Sequence, residues 1–465
     1  MKKYKNQKAI TLVALVITII ILLILAGISI STLTNTGILD KTIEAKEKSE
    51  RAKEQEQVDL SKIDDQIYDI QNAQNVVQVN DDYPGDITDN NTRDGSQDNP
   101  YSVNSVEDLV ELSWEVRTGK NNYANKIIIL EYDLDFFSVK SYIEPYRTDY
   151  GKYGYYDKLK SEICNSGFIS IGTDGIEKSI TDNDFEQYCF SGIFDGRGHY
   201  INNIKIDKIL INDNAIIIGG LFNENNGTIK NLKLGNLNMN ISVKSNRYSS
   251  FGGIVGRNFG NIENCIFDGN IKIDYLNFSG NVGGIVGSNN GNVKYSANYG
   301  VISSLLNSSD KVETRIGGIS GANEKTGEIS NSYNAGIINN RNTEKNVEQC
   351  KNFICGISGI NLGSICNSYN VGKINNENTT SKIFIDGISY KSNIKEGVIT
   401  NSFYLDKTIE KLDKKNVTIT SNGEEKNSEE MKGVEILEKL NNKNNIWKKD
   451  KKNINNGYPI LWFMN

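Results

Sequence analysis

Hydrophobic and polar positions fall into distinct regimes along this chain. Residues Ile10 to Ile30, "ITLVALVITIIILLILAGISI", are twenty-one consecutive positions without a charge, long enough to cross a hydrocarbon core of about 30 Å as a helix. Lys2, Lys3, Lys5 and Lys8 stand before it in residues 1–9. That excess of positive charge predicts a cytoplasmic N-terminus and an exported remainder, a single-pass protein of the cell membrane with its C-terminal bulk extracellular. From 31 to 78 the apolar stripe thins and helix formers dominate. Glu44 with Lys48 and Glu47 with Arg51 stand four apart with the acid first, which predicts a solvated stalk helix. Residues 79–100 are acidic, polar and rich in breakers, the pattern of a flexible linker. An EF-hand frame begun at Asn90 meets Tyr101 at its twelfth position, where calcium needs a bidentate glutamate, so the linker reading is kept.

The text changes at Tyr101. Ser105 with Asp108 three residues on predicts a capped helix carrying Val106, Leu109, Val110 and Leu112, ended by Gly119. Ile127 to Leu130, "GFISIGT" and "FSGIFDGRGHYINNIKI" read as strands. Residues 101–213 are expected to form an N-terminal cap region. In 214–406 one phrase recurs. Its second glycines are Gly220, Gly253, Gly284, Gly318, Gly356 and Gly387, separated by 33, 31, 34, 38 and 31 residues, a period typical of solenoids. After each comes a further glycine, then two residues later Ile229, Ile262, Val293, Ile329, Ile365 or Ile399. Two residues beyond that stands Asn231, Asn264, Asn331, Asn367 or Asn401, with Tyr295 the exception. Fixed spacing makes each copy one coil of the same shape. The aliphatics are expected to stack as an inner column, the asparagines as a ladder of amides, and the glycines to permit sharp corners with positive φ. Residues 407–465 are expected to close the stack: a helix over Ser428 to Asn442 starting at Ser428, with Met431, Val434, Leu437 and Leu440 on one side, then Trp447, Tyr458, Leu461 and Trp462 over the open end.

Two resemblances rest on these residues. "KAITLVALVITIIILLILAG" resembles the class III signal of type IV pilins and pseudopilins of Gram-positive bacteria. It implies a prepilin peptidase cutting between Ala9 and Ile10 and leaving the apolar helix in place. The family's glutamate at the fifth mature position falls here on Ala14, so the likeness implies an anchor more than filament register. The glycine ladder, with "FDGRGH" before it and "GYPILWF" after it, resembles the GLUG repeats of bacterial surface proteins, adhesins and some secreted IgA proteases. That likeness implies a mainly β fold, a parallel β-helix or β-solenoid exposed at a cell surface.

Charge and chemistry narrow the function. A net charge of −6 over 465 residues gives no basic footprint for nucleic acid. His199 is the only histidine, which excludes a histidine-dependent triad and a multi-histidine zinc site. In "FDGRGHYINNI" it reads as a turn or strand-edge residue. None of the six cysteines, Cys164, Cys189, Cys265, Cys350, Cys355 and Cys366, forms a CxxC pair; disulfides and buried thiols both stay open. No metal or other cofactor is expected. The leading expectation is a non-enzymatic, membrane-anchored, adhesin-like protein presenting its solenoid to host or cell-wall glycans or to other surface proteins. One alternative is a minor pseudopilin. The other is a β-helix enzyme acting on polysaccharide, with Asp268 and Asp274, or Asp195 with Arg197, as its best acidic candidates.

Overall fold

The computed structural model describes residues 93–137, 168–172, 185–211, 216–275, 277–306, 312–342, 350–377, 381–391, 397–409 and 416–464. The chain divides into two compact units, Met1–Gln78 and Val79–Asn465, and all described residues belong to the second. The leader with Ala9 and Ile10, the apolar span, the stalk and most of the acidic linker lie outside them, as does Cys164. Among the described residues no helix is long and apolar enough to cross a membrane.

The second unit is a stack of coils that together make a parallel β-solenoid with three walls. In the first wall nine short strands pair in parallel, from Tyr101–Val103, Ile127–Leu130 and Ile193–Asp195 through Thr228–Lys230 to Val398–Thr400. The region expected as an N-terminal cap therefore shares one sheet with the repeats. The second wall has six strands, from Phe222–Asn225 to Ser389–Tyr390. The third is the widest, and one of its strands, Lys233–Gly252, runs for 20 residues. Each residue pairs with its equivalent one coil on, as in Phe194↔Ile229, Ile229↔Ile262 and Ile262↔Val293.

The core follows from that register. Ile229, Ile262, Val293, Ile329 and Ile365 form a fully buried column behind the first wall, and Ile399 closes it half-buried. A second column, Ile206, Met239, Ile271, Ile302, Ile338 and Ile374, runs behind the third wall. Each buried aliphatic contributes about 1.5–3 kcal/mol relative to exposure. A single coil has no such neighbours, so the repetition is what makes the core.

The glycines and asparagines exchange their expected roles. None of the six second glycines has a left-handed φ; the corner before the third wall is made by Asn231 (φ 53°), Asn264 (54°), Tyr295 (54°), Asn331 (48°), Asn367 (49°) and Asn401 (45°). Asparagine tolerates this region better than other residues with a side chain. The second glycines answer a different demand, close approach. A Cβ on Gly253, Gly284, Gly318 or Gly356 would lie under 3.0 Å from the carbonyl oxygen of the equivalent glycine one coil on.

At the N-terminal end, helix α1 (Val106–Thr118) has the expected capping box of Ser105 with Asp108 and ends at Gly119 with φ 71°. Its buried Val106, Leu109, Leu112 and Val116 join the solenoid core. The C-terminal segment departs from expectation twice. The single helix breaks at Gly433 into α2 (Ser428–Met431), capped by Asn427 rather than Ser428, and α3 (Val434–Asn441). Met431, Ile436 and Leu440 are buried, whereas Val434 is 66% exposed. The segment also packs along the flank rather than over the open end. Met431, Leu440, Trp447 and Leu461 cover an outward column of Ala297, Tyr333, Tyr369 and Phe403 that spans successive coils. Tyr333 and Tyr369 stack at 5.0 Å and 7°, Trp447 Nε1 donates to Asn331 Oδ1 at 3.3 Å, and the Tyr369 hydroxyl donates to the Pro459 carbonyl. Outward aromatic residues need cover that the solenoid itself does not supply, and the segment supplies it.

Candidate binding surface

Polar residues stack in several sets, two of them buried ladders, one at the corners and one half-exposed on the third wall. The most enclosed is an asparagine ladder at the end of the second wall. Asn225 donates through Nδ2 to Asn258 Oδ1 at 2.8 Å, Asn258 to Asn289 at 2.9 Å, Asn289 to Asn323 at 2.8 Å and Asn323 to Asn361 at 2.8 Å. All five are fully buried. Each amide also donates to backbone carbonyls around its turn, as Asn289 does to Gly291 at 3.1 Å and Glu328 at 3.3 Å. A second buried ladder joins Asn298, Asn334 and Asn370 at 2.7 and 2.8 Å. Neither was singled out from the sequence, although an asparagine stands five residues after each second glycine from Gly220 to Gly356. The expected corner ladder forms in pieces. Asn264 donates to Asn231 at 2.9 Å and Asn231 to Asp195 at 2.9 Å. Tyr295 interrupts the series, Asn331 turns to Trp447, and Asn401 reaches Asn367 at 3.3 Å.

The titratable groups at the N-terminal end are engaged with one another. Asp133 Oδ1 lies 2.9 Å from His199 Nδ1 and accepts the Tyr200 N–H at 2.9 Å. The Tyr200 N–H, then His199, hold the Asp133 carboxyl below its ordinary range. His199 immediately precedes the strand Tyr200–Asn202, the strand-edge position its sequence context indicated. Arg197 pairs with Glu131 at 3.1 Å. Asp195, the last residue of the strand Ile193–Asp195, takes the Asn231 amide, the Arg197 N–H at 2.9 Å and Lys230 at 3.4 Å, and so holds the turn that follows. Of the other acidic candidates, Asp274 stands 3.5 Å from Lys272, and Asp268 lies exposed on the third wall.

Inside the stack, Glu224 accepts from the Cys189 thiol at 3.1 Å and faces Arg257 at 3.4 Å. Burial raises the carboxyl of Glu224, against the pull of Arg257, and raises the thiol of Cys189 as well. Cys265 is fully enclosed and its thiol is pushed up to about 12 by burial, so it stays protonated and inert at neutral pH. Asp386, buried in the last full coil, accepts from Ile388 N–H at 2.8 Å, Ser389 N–H at 3.1 Å, Thr420 Oγ1 at 2.6 Å and the Asn422 amide at 3.0 Å. It ties the final turn to the stack. Among the described residues no group of three His, Cys, Asp or Glu side chains is arranged to hold a metal ion.

The half-exposed set lies on the outer face of the third wall. Asp207, Asn240, Lys272, Ser303, Asn339 and Asn375 stand in register, one per coil. Asn240 donates to Asp207 at 2.9 Å, Asn339 to Ser303 at 3.3 Å and Asn375 to Asn339 at 2.9 Å. Beside this row run Lys205, Asn238, Asn270, Val301 and Ile337, with Asn270 donating to Asn238 at 3.2 Å. Parallel pairing fixes the spacing of such rungs at about 4.8 Å. The result is a ruled face of amides, hydroxyls and charges, with Val301 and Ile337 as apolar rungs of the second row.

A family model for the GLUG motif matches residues 248–272. That interval holds the close-packed Gly252 and Gly253, the ladder residue Asn258, the core residue Ile262 and the corner residue Asn264, one passage around the coil. The chain is thus a parallel β-solenoid that carries the GLUG motif. No curated protein matches it. Among solved structures, a candidate immunoglobulin A1 protease from Bacteroides ovatus is 19% identical, with 79% of this chain and 94% of that one covered and a TM-score of 0.48. An IgA1 protease structure is 16% identical, with 70% of this chain and 21% of that one covered and a TM-score of 0.39.

Proposed function

We propose that this protein is a non-enzymatic surface scaffold, tethered to the cell membrane by its N-terminal apolar helix, which presents the outer face of the solenoid's third wall to extracellular polysaccharide. The observation that carries this reading is the ruled row from Asp207 to Asn375. A polymer of sugars repeats along its length and offers hydroxyls that both donate and accept. A row of amides and hydroxyls at a regular spacing meets it with the same chemistry at each coil, and many weak contacts then add through multivalency. The uncharged run Ile10–Ile30 and the lysines before it support extracellular placement.

The reading is tested with the full chain on an array of host and cell-wall polysaccharides, beside a variant carrying Asn240→Ala, Asn339→Ala and Asn375→Ala. These side chains are half-exposed, so the variant is expected to keep its melting temperature within a degree or two, roughly the scale of surface substitutions. The expected result is saturable binding by the parent and loss of it in the variant. Undiminished binding by the variant would place the ligand elsewhere.

A further inference from the structure

The ruled face ends in a cavity. The buried column behind it passes from Ile374 to Ile409 through a single isolated bridge, and the chain turns at Asp406 and Lys407 just before that bridge. Beside this turn lies a cavity of about 630 Å³, at the end of the two outer rows, bounded by Asn375, Lys373, Asp406, Lys407, Ile409 and Glu425. That volume lies within the usual range for small-molecule sites, about 300–1,000 Å³. Two features of its lining bear on what it could bind. Lys373, Lys407, Asp406 and Glu425 put two positive and two negative charges around one space, and among the described residues none of the four takes part in an ion pair, although such pairs are common elsewhere on the molecule. Lys407 also holds φ at 62°, where glycine or asparagine would be unstrained and a lysine is disfavoured.

We propose that this cavity binds a zwitterionic sugar, a saccharide unit that carries both a free ammonium and a carboxylate. Such a ligand carries the charges complementary to this lining: its carboxylate would pair with Lys373 and Lys407, and its ammonium with Asp406 and Glu425. Its ring hydroxyls meet Asn375, whose Nδ2 is already given to Asn339 and whose Oδ1 remains an acceptor. This proposal deepens the polysaccharide-binding reading and rests on it, since the cavity continues the same outer rows.

The test titrates the full chain by calorimetry with four probes: muramic acid, which carries both charges; N-acetylmuramic acid, which lacks the ammonium; glucosamine, which lacks the carboxylate; and glucuronic acid, which lacks the amine. The expected order places muramic acid at least about tenfold tighter than the other three, as for loss of one charged hydrogen bond. Lys407→Gly relieves the backbone and is expected to hold or raise the melting temperature while abolishing that preference; Glu425→Gln, at an exposed position, is expected to abolish it as well. Equal affinity for all four probes, or preference unchanged in both variants, overturns the proposal. A wall polysaccharide that binds the parent and both variants equally overturns the cavity while leaving the ruled face as its site. Failure of every polysaccharide on the array, with muramic acid still bound, overturns the polymer reading instead.

Discussion

Replacing Asn289 by leucine separates the two kinds of polar ladder. Asn289 is fully buried, accepts from Asn258 at 2.9 Å and donates to Asn323 at 2.8 Å, Gly291 O at 3.1 Å and Glu328 O at 3.3 Å. Leucine fills a similar volume but makes none of these bonds. Gly291 O keeps its bond from the Glu328 N–H at 2.9 Å, and Asn258 keeps its bonds to Gly260 O and Asn292 O at 3.1 and 3.2 Å. The Asn323 Oδ1 acceptor loses its donor in a place that water does not reach. An orphaned buried acceptor costs about 1–3 kcal/mol and each further lost bond about 1 kcal/mol, which puts the sum at about 3 kcal/mol. Asn339→Leu removes the same amide from the half-exposed row, where water replaces both partners, and is expected to cost no more than about 0.5 kcal/mol. Urea unfolding of the two variants, followed by circular dichroism, measures the difference through the transition midpoint. Equal midpoints would refute the claim that the buried ladder holds the coils together.

Three further outcomes are expected. Gly284→Ala should destabilise by about 1–3 kcal/mol or more, because its Cβ meets Gly318 O under 3.0 Å away, whereas Asn264→Gly, at φ 54°, should cost only about 1 kcal/mol for its lost amide contact; similar melting temperatures would contradict the exchange of roles. Glu224 has a folded carboxyl raised by burial, so its stabilising contribution is complete below the unfolded value of about 4.3 and is lost as pH rises through the folded one. Glu224→Gln should therefore gain stability relative to the parent between acid and neutral pH, and parallel pH profiles would count against it. At the N-terminus, sequencing of the protein from its host should begin at Ile10, with the chain in the membrane fraction; an intact Met1 would leave only the anchor, and a start beyond Ile30 would mean release.

Much of the coil was legible because it repeats. The spacing from each second glycine to Ile229, Ile262 and their equivalents marks a position that always faces inward, so the first-wall column followed directly from register. The capping box at Ser105 and the stop at Gly119 were readable because both act within a few residues of chain. What the spacing could not tell was which demand each glycine meets. A glycine in a tight turn and a glycine under a neighbouring backbone look alike in sequence; only the contact of Gly284 with Gly318 O distinguishes them. The Asn225 to Asn361 ladder was present as a period but resembled turn composition, in which asparagine is common for local reasons. The C-terminal segment was hardest, since aromatic residues near a chain end suggest a plug, while the outward Tyr333 and Tyr369 that recruit them lie about 90–130 residues earlier in the chain. The cavity at Lys407 brings together Lys373 and Glu425, about 50 residues apart in the sequence, which no repeat pattern announces.

The most direct measurement of the central claim is retention of the full chain on insoluble cell-wall polysaccharide, with the supernatant assayed for new reducing ends and for unsaturated sugars. A tethered, non-enzymatic scaffold predicts saturable retention, reduced by the Asn240, Asn339 and Asn375 substitutions, and an unchanged supernatant. Release of new sugar ends that grows with time, with no saturable retention, would contradict it and make the solenoid an enzyme.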